Sequence, residues 1–481
     1  MVLIGPPGAG KSFLGGQFLW TVGAVDNRTI EKLKRDAESQ GHPREQGFVS
    51  FLDATSPERK SQHTIQPQHP HLVFTSRARY GMMCPSGNLR YMKSFCRAVG
   101  KADLLLLLVS VTDFKKDIEV IQSQLKVCYA LSLAAQMAVG VTKCDLIEDK
   151  NQLEEAIKEI TTALPKMIEP YFTLLGFFYT DVKGSNYVSK TSHLPSPNTL
   201  IDLIDTVPAE RYKNDLSFSS QSQFLLPIDF SYKIKGIGTV VCGKVISGHL
   251  DIRKRNIFKV VGQPDILPYT MEIHHSTLES TEPYAYVGLN VKSATTFAIK
   301  PGMILSETPC EPTSWITSTI KAATTFTIKR GTTFNFHTAI GNSLCQIDRI
   351  SADPTIYKDS QLQEGGIATL HLKLLKPIYL FPYDKVPNLG SFVIARGSKL
   401  HATGTIEFVA NQNSFESFYQ FWPKFHTYLQ SGCSQSIVGL LAVLKRLQVQ
   451  GKTDIPQEPT KKLIQQLIAH WFLHQKPSQP H

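Results

Sequence analysis

The chain has 481 residues, 42% of them hydrophobic, with 51 Lys and Arg against 40 Asp and Glu and a formal charge of +11. That length suits two to four domains, and the composition excludes an intrinsically disordered chain. The positive excess favours a polyanionic partner, nucleic acid above all, although a basic surface kept for solubility gives the same balance.

The eight cysteines are scattered, with no CxxC pair and no metal-ligand spacing. They read as reduced thiols in a cytoplasmic protein. The longest apolar run, ADLLLLLVSV at 102–111, is far too short to span a bilayer and predicts a strand buried on both faces. Only MVLI precedes Gly5, which leaves no room for a leader in this stretch.

From Met1 to about Val207 strands and helices alternate. MVLI, GPPGAGKS and FLGGQFLWTVG read as strand, loop and helix; LLLLLVSV as a strand; VIQSQLKVCYALSLA as a helix; MAVGVTKCD as a strand with its loop; NQLEEAIKEITTAL as a helix; LLGFFYT as a strand. The alternation predicts a parallel sheet with helices on both faces. After the polar joint SFSSQSQ come short strands punctuated by Gly and Pro, which predict two antiparallel barrels. The last 70 or so residues are helical in pattern. Leu463, Ile464, Leu467, Ile468, Trp471 and Phe472 recur at helix spacing, as do Ile437, Leu440, Leu441, Leu444 and Leu447. Such stripes pack on the body of the protein or dock a protein partner.

GPPGAGKS fits GxxxxGK[ST] through Gly5, Gly10, Lys11 and Ser12. The glycines let backbone N–H groups converge on phosphate oxygens, and the helix N-terminus that follows adds partial positive charge. Pro6, Pro7, Gly8, Ala9 and Phe13 complete the expected cradle. Lys11 would reach the outer phosphates and the Ser12 hydroxyl a magnesium ion.

GVTKCDL follows an apolar strand and resembles the guanine-reading motif NKxD, with Thr142 for Asn, then Lys143 and Asp145. The Asp145 carboxylate can accept two hydrogen bonds from guanine N1 and N2. Adenine offers no such donor pair, so a site built for guanine rejects it. The Lys143 stem can cover the base. A surface Lys–Asp pair would leave the same trace. Thr180, at the end of LLGFFYT, is grouped with the nucleotide-binding residues.

VGAVDNRTIEKLKRDAESQG and FLDATSPERKSQHTI resemble the first switch region of the eukaryotic elongation factor 1 alpha family. The resemblance continues through YKIKGIGTVVCGKVISGHL, EIHHSTL and GLNVKS, then through FHTA at 336–339 and NLGSFVIARGSKLHATGTI. It implies an α/β P-loop G domain over 1–214, two antiparallel β-barrel domains over 220–310 and 311–410, and a C-terminal helical extension over 411–481. It also implies GTP and GDP as ligands, with Mg2+ held by Ser12 and by Thr64, the threonine that closes over the terminal phosphate. The implied activity is GTP-dependent delivery of aminoacyl-tRNA to the ribosome by a cytoplasmic monomer, with no membrane role.

The family's second switch, DAPGH, falls on Cys84, Pro85, Ser86, Gly87 and Asn88. Cys84 stands in the place of the aspartate that holds a magnesium-bound water, and a neutral thiol is a poor partner for that hard cation. Gly87 is kept for sensing the terminal phosphate. Asn88 replaces the histidine that positions the attacking water; an amide can orient water but cannot take up a proton as imidazole can. Gly8 and Phe13 replace an aspartate and a threonine of the family, and QPQHPHLVF puts two prolines in a strand that must then be an edge or a loop. Hydrolysis is therefore expected to be impaired. The alternative is a pseudo-GTPase acting as a ribosome- or RNA-associated scaffold.

For RNA contact the basic candidates are Arg253, Lys254, Arg255, Lys329, Arg330 and Arg396, while Ala395 and Ser398 stand where the family carries arginines. His274 and His275 are neighbours in a strand-like segment, pointing to opposite faces, which excludes chelation of one ion by the pair.

Overall fold

The structure, a computed structural model, describes residues 1–53, 70–75, 77–134, 136–180, 199–206, 223–273, 276–281, 283–292, 299–352, 357–358 and 360–410. Thr64, the His274–His275 pair and the 411–481 extension lie outside the described residues.

The first module is built on four parallel strands in the order β1 (Val2–Ile4), β4 (Leu105–Ser110), β5 (Gln136–Thr142), β6 (Thr173–Tyr179). Every residue of β4 is buried, because helices cover both faces of the sheet. Strand periodicity sorts the apolar residues into two cores. Val2, Ile4, Leu105, Leu107 and Val109 face one, and Leu3, Leu106 and Leu108 face the other. β2 (His71–Phe74) begins directly after Pro70 and, among the described residues, pairs only with β3 (Arg79–Met82), which makes it an edge strand there. Met83, just past β3, bridges to Val2 and carries the chain to the end of the sheet where the phosphate loop sits.

Helices α1 (Lys11–Thr21), α2 (Asn27–Ser39) and α3 (Gln46–Leu52) follow the loop in a tight cluster. The first-switch resemblance gave no helix there, yet Asp26 caps α2 by accepting from Thr29 N–H at 2.8 Å. Side chains at Gly15 and Gly16 of α1 would collide with Leu52 and with the Phe48 carbonyl, so α1 and α3 touch backbone to backbone. Lys34 lies over the rings of Trp20 and Phe48 at 5.0 and 4.7 Å. On the other flank run α4 (Met92–Val99), α5 (Phe114–Leu131) and α6 (Lys150–Ile168).

The second module is antiparallel: a five-stranded sheet and two-stranded ribbons around one core of Phe224, Leu226, Val241, Phe258, Met271, Leu289 and neighbours. In the third module six strands between Thr313 and Ala410 close into a barrel.

The modules meet through both apolar and charged contacts. Ala323, Val393, Ala395 and Leu400 of the barrel join the core beneath α4 and α5. Lys126 of α5 donates to the Ala323 carbonyl at 2.9 Å and pairs with Glu364 at 3.1 Å. Toward the second module, Lys101 pairs with Asp229 at 2.8 Å, and Lys244 returns to Asp103 and, at 2.9 Å, to the Lys101 carbonyl.

Candidate functional site

The loop between β1 and α1 turns on glycines with positive φ, at 139° for Gly5, 78° for Gly8 and 80° for Gly10. A side chain on Gly5 would collide with the Leu108 carbonyl, so the loop lies flat against the end of β4. Pro6 and Pro7 follow, with Ala9 N–H closing a turn on the Pro6 carbonyl at 3.3 Å. Lys11 opens α1, is 7% exposed, and donates from Nζ to the carbonyls of Gly5 (2.8 Å) and Pro6 (2.6 Å). Burial pushes its ammonium down to about 8, against the raising influence of Cys84 and Asp117. A buried cation that meets only carbonyls among the described residues complements an anion, and this donor set fits a nucleotide's phosphates. The Phe13 ring packs edge-on against Phe48 at 5.7 Å.

The metal-binding side reads differently. Ser12 Oγ lies 3.9 Å from Cys84 Sγ. Burial pushes the thiol up to about 11, while Lys11 and Ser12 pull it down and Asp53, at the end of α3, raises it further. Cys84 is therefore a neutral thiol at physiological pH and does not fit a hard, oxygen-seeking cation. Of the expected magnesium ligands, Ser12 lies in the first turn of α1 beside Cys84, and Thr64 is outside the described residues.

Gly87 is seated directly against the loop. A side chain there would collide with the Lys11 ammonium and the Gly5 carbonyl. Asn88, in the water-positioning place, spends its side chain locally: Oδ1 accepts from Arg90 N–H at 3.0 Å and caps the short helix Leu89–Tyr91.

The base-side residues gather at the ends of β5 and β6. Thr142 Oγ1 lies 3.0 Å from the Ala9 carbonyl and 3.2 Å from that of Val109, tying β5 to the phosphate loop. Lys143 adopts φ 62° and pairs with Asp113 at 3.0 Å. The hydrogen bonds from Lys143 and then Ser110 hold the Asp113 carboxyl below its usual range. Asp145 is exposed in the turn Cys144–Leu146, and Thr180 is buried beside it, its carbonyl accepting from Cys144 N–H at 3.4 Å.

Three residues at the site were not anticipated. Asp113 fixes Lys143, Asp53 faces Cys84, and the buried Gln124 donates to both Gly5 and Gly87. No motif marks them, because each acts through a contact made only in three dimensions.

Of the basic candidates, Arg253 is engaged by Asp251 and Glu279, Arg330 by Asp348, and Arg396 by the Thr333 carbonyl and the face of Phe334. Lys254, Arg255 and Lys329 are exposed. Among the described residues no His, Cys, Asp and Glu group could hold a metal, and no helix is long and apolar enough to cross a membrane.

A four-stranded parallel sheet, a glycine loop around a buried lysine and a β-rich remainder define a phosphate-loop domain carried on β modules. Residues 1–335 match the elongation factor Tu GTP binding domain family, and the chain belongs to that family, as a translational GTPase of the elongation factor 1 alpha type. It is 26% identical to elongation factor 1-alpha of Methanocaldococcus jannaschii over 409 residues, covering 82% of this chain and 93% of that one. Against the Entamoeba histolytica elongation factor 1-alpha it is 26% identical over 435 residues, covering 85% and 95%. In fold it is similar to the S. cerevisiae Ski7 GTPase-like domain bound to GDP and inorganic phosphate. The TM-score is 0.66 at 14% identity, with 84% of this chain and 96% of that one covered.

Proposed function

We propose that the chain binds GTP and GDP, and that it works in translation as an elongation factor-like carrier whose hydrolysis is impaired. The observation that carries this reading is the buried Lys11 ammonium, held among the described residues by the carbonyls of Gly5 and Pro6 at the centre of a glycine cradle. Lys143, splinted by Asp113, would cover the base, and the Asp145 carboxylate would read its edge. Impaired turnover follows from the neutral Cys84 thiol and from the commitment of Asn88 Oδ1 to Arg90. The proposed cargo is aminoacyl-tRNA and the proposed destination the ribosome, approached as a cytoplasmic monomer. Phosphate contacts from Lys254, Arg255 and Lys329 suit that role.

The same two residues favour a second reading, a non-hydrolysing pseudo-GTPase that acts as a ribosome- or RNA-associated scaffold. Titration with fluorescent GTP and GDP, with and without magnesium and competed by ATP, tests binding. We expect ATP-resistant binding that Lys11→Ala weakens by about 100-fold, the loss of a charged hydrogen-bond donor to phosphate. No binding by the unmodified protein would sink the carrier and leave the scaffold. Ribosome pelleting with GTP against GDP then separates them, since a carrier depends on the nucleotide and a scaffold is indifferent to it.

A further inference from the structure

Gln124 lies in the middle of α5 and is completely buried. Its Nε2 donates to the Gly5 carbonyl at 3.0 Å and to the Gly87 carbonyl at 2.9 Å. Both partners can only accept, so the amide orientation is fixed, with its nitrogen toward them. The Oε1 atom finds no hydrogen-bond partner among the described residues. Leaving a buried amide oxygen unpaired is unfavourable, and packing alone would be served as well by an apolar side chain.

The Gly5 carbonyl is shared. It accepts from Lys11 Nζ at 2.8 Å as well as from Gln124. Phosphate loop and second-switch glycine are therefore joined through one nitrogen of α5, with Gly87 packed against the ammonium that would face a terminal phosphate. Two residues further along α5, Lys126 is fastened to Ala323 and Glu364 of the barrel. The element that grips Gly87 is thus itself anchored in the third module.

We propose that Gln124 is a positioning residue that holds Gly87 against the phosphate loop whatever nucleotide is bound. The terminal phosphate then meets a preformed contact instead of folding the second switch around itself. This rests on the guanine-nucleotide reading above and deepens it: Gln124 sets how strongly GTP is preferred over GDP. A contact that is already ordered spares the ligand the entropy of ordering it, and GDP has no group that would use it.

The test compares the unmodified chain with Gln124→Met, which keeps length but has no donor, and Gln124→Glu, which turns acceptor oxygens on two carbonyls. Thermal melting accompanies each variant to establish that it folds. GTP and GDP dissociation constants are measured, together with hydrogen exchange of the 84–91 segment without nucleotide. We expect GTP binding to weaken by about tenfold in Gln124→Met, the cost of ordering roughly one residue, with GDP binding within about twofold. We also expect the 84–91 segment to exchange faster in both variants, and in the unmodified chain to exchange alike with GTP and with GDP.

An equal fall in both affinities would reduce Gln124 to a structural role and overturn the proposal. So would marked slowing of 84–91 exchange when GTP, but not GDP, is added to the unmodified chain. If that chain binds neither nucleotide, the guanine reading fails, and the nucleotide-free exchange decides the staple alone: faster exchange in the variants supports it, and unchanged exchange overturns it.

Discussion

The Ser12 hydroxyl faces the Cys84 thiol at 3.9 Å, the two meeting from the start of α1 and the end of β3. Where the family brings a hydroxyl and a carboxylate together, this chain brings a hydroxyl and a neutral sulfur.

Cys84→Asp is expected to place a buried carboxylate beside Ser12 and Lys11. Without magnesium the variant should melt below the unmodified chain, because an ionised group is buried without its cation. With magnesium and GDP the loss should be recovered through binding. In the same variant chelation should weaken GTP binding by roughly tenfold or more, against little change in the unmodified chain. A melting point that ignores magnesium would count against this account of Cys84.

Asn88→His alone is expected to leave GTP hydrolysis near background in single-turnover assays. Combined with Cys84→Asp it should raise the rate by at least about tenfold, since water positioning and charge neutralisation act together. Loss of the Asn88 cap should cost about 1 kcal/mol of stability in either background. Full activation by Asn88→His alone would show that Cys84 is not limiting.

Lys101→Met should be the most damaging change outside the nucleotide site. It strands Asp229, whose side chain is only 4% exposed, without its counter-charge. Breaking a buried pair on one side costs about 3–5 kcal/mol. Urea unfolding of Lys101→Met, Asp229→Asn and the double variant closes the cycle, and the double variant should recover much of the loss. Strict additivity would mean that the pair contributes nothing as a pair.

Acid should loosen the contact between α4 and the barrel. His337 is buried, and burial first, with Lys93 second, pushes its imidazole down to about 4. The unfolded chain takes up that proton near 6.5 and the folded chain does not, so stability falls as pH drops from about 6.5 to 4. The shift corresponds to ~3 kcal/mol at the bottom of that window. His371, lowered to about 4 by burial, with Arg349 adding to it and Asp348 opposing it, titrates in the same direction. Melting midpoints across this range should drop less steeply for His337→Leu.

The features legible in the sequence are those written in short range. The apolar run 105–110 could only be a doubly covered strand, and GPPGAGKS carries its own geometry in Gly5, Gly10 and Lys11. The strand-then-loop reading of MAVGVTKCD puts Thr142 at the end of β5, and the prolines leave an edge or a loop, where the described residues show β2 paired with β3. The helix Asn27–Ser39 is not legible from a likeness to a switch region, which carries no sign of its cap at Asp26. Gln124 and Gly5 are 119 residues apart, and Lys244 and Asp103 are 141 apart, so nothing but the folded topology introduces them. Asp113 carries no mark in the sequence, and only the folded chain brings Lys143, at the end of β5, to it.

The charged join between the first two modules is reciprocal, each side supplying one cation and one anion: Lys101 and Asp103 from the first, Asp229 and Lys244 from the second. Neither half's charges are paired without the other. A recombination that swapped the second module for a distant relative's would fail unless the incoming piece kept both charges in place. Drift at one of the four positions has to be answered at its partner before it can be tolerated. The two modules are therefore expected to be inherited as one unit, however readily the chain changes around its second switch.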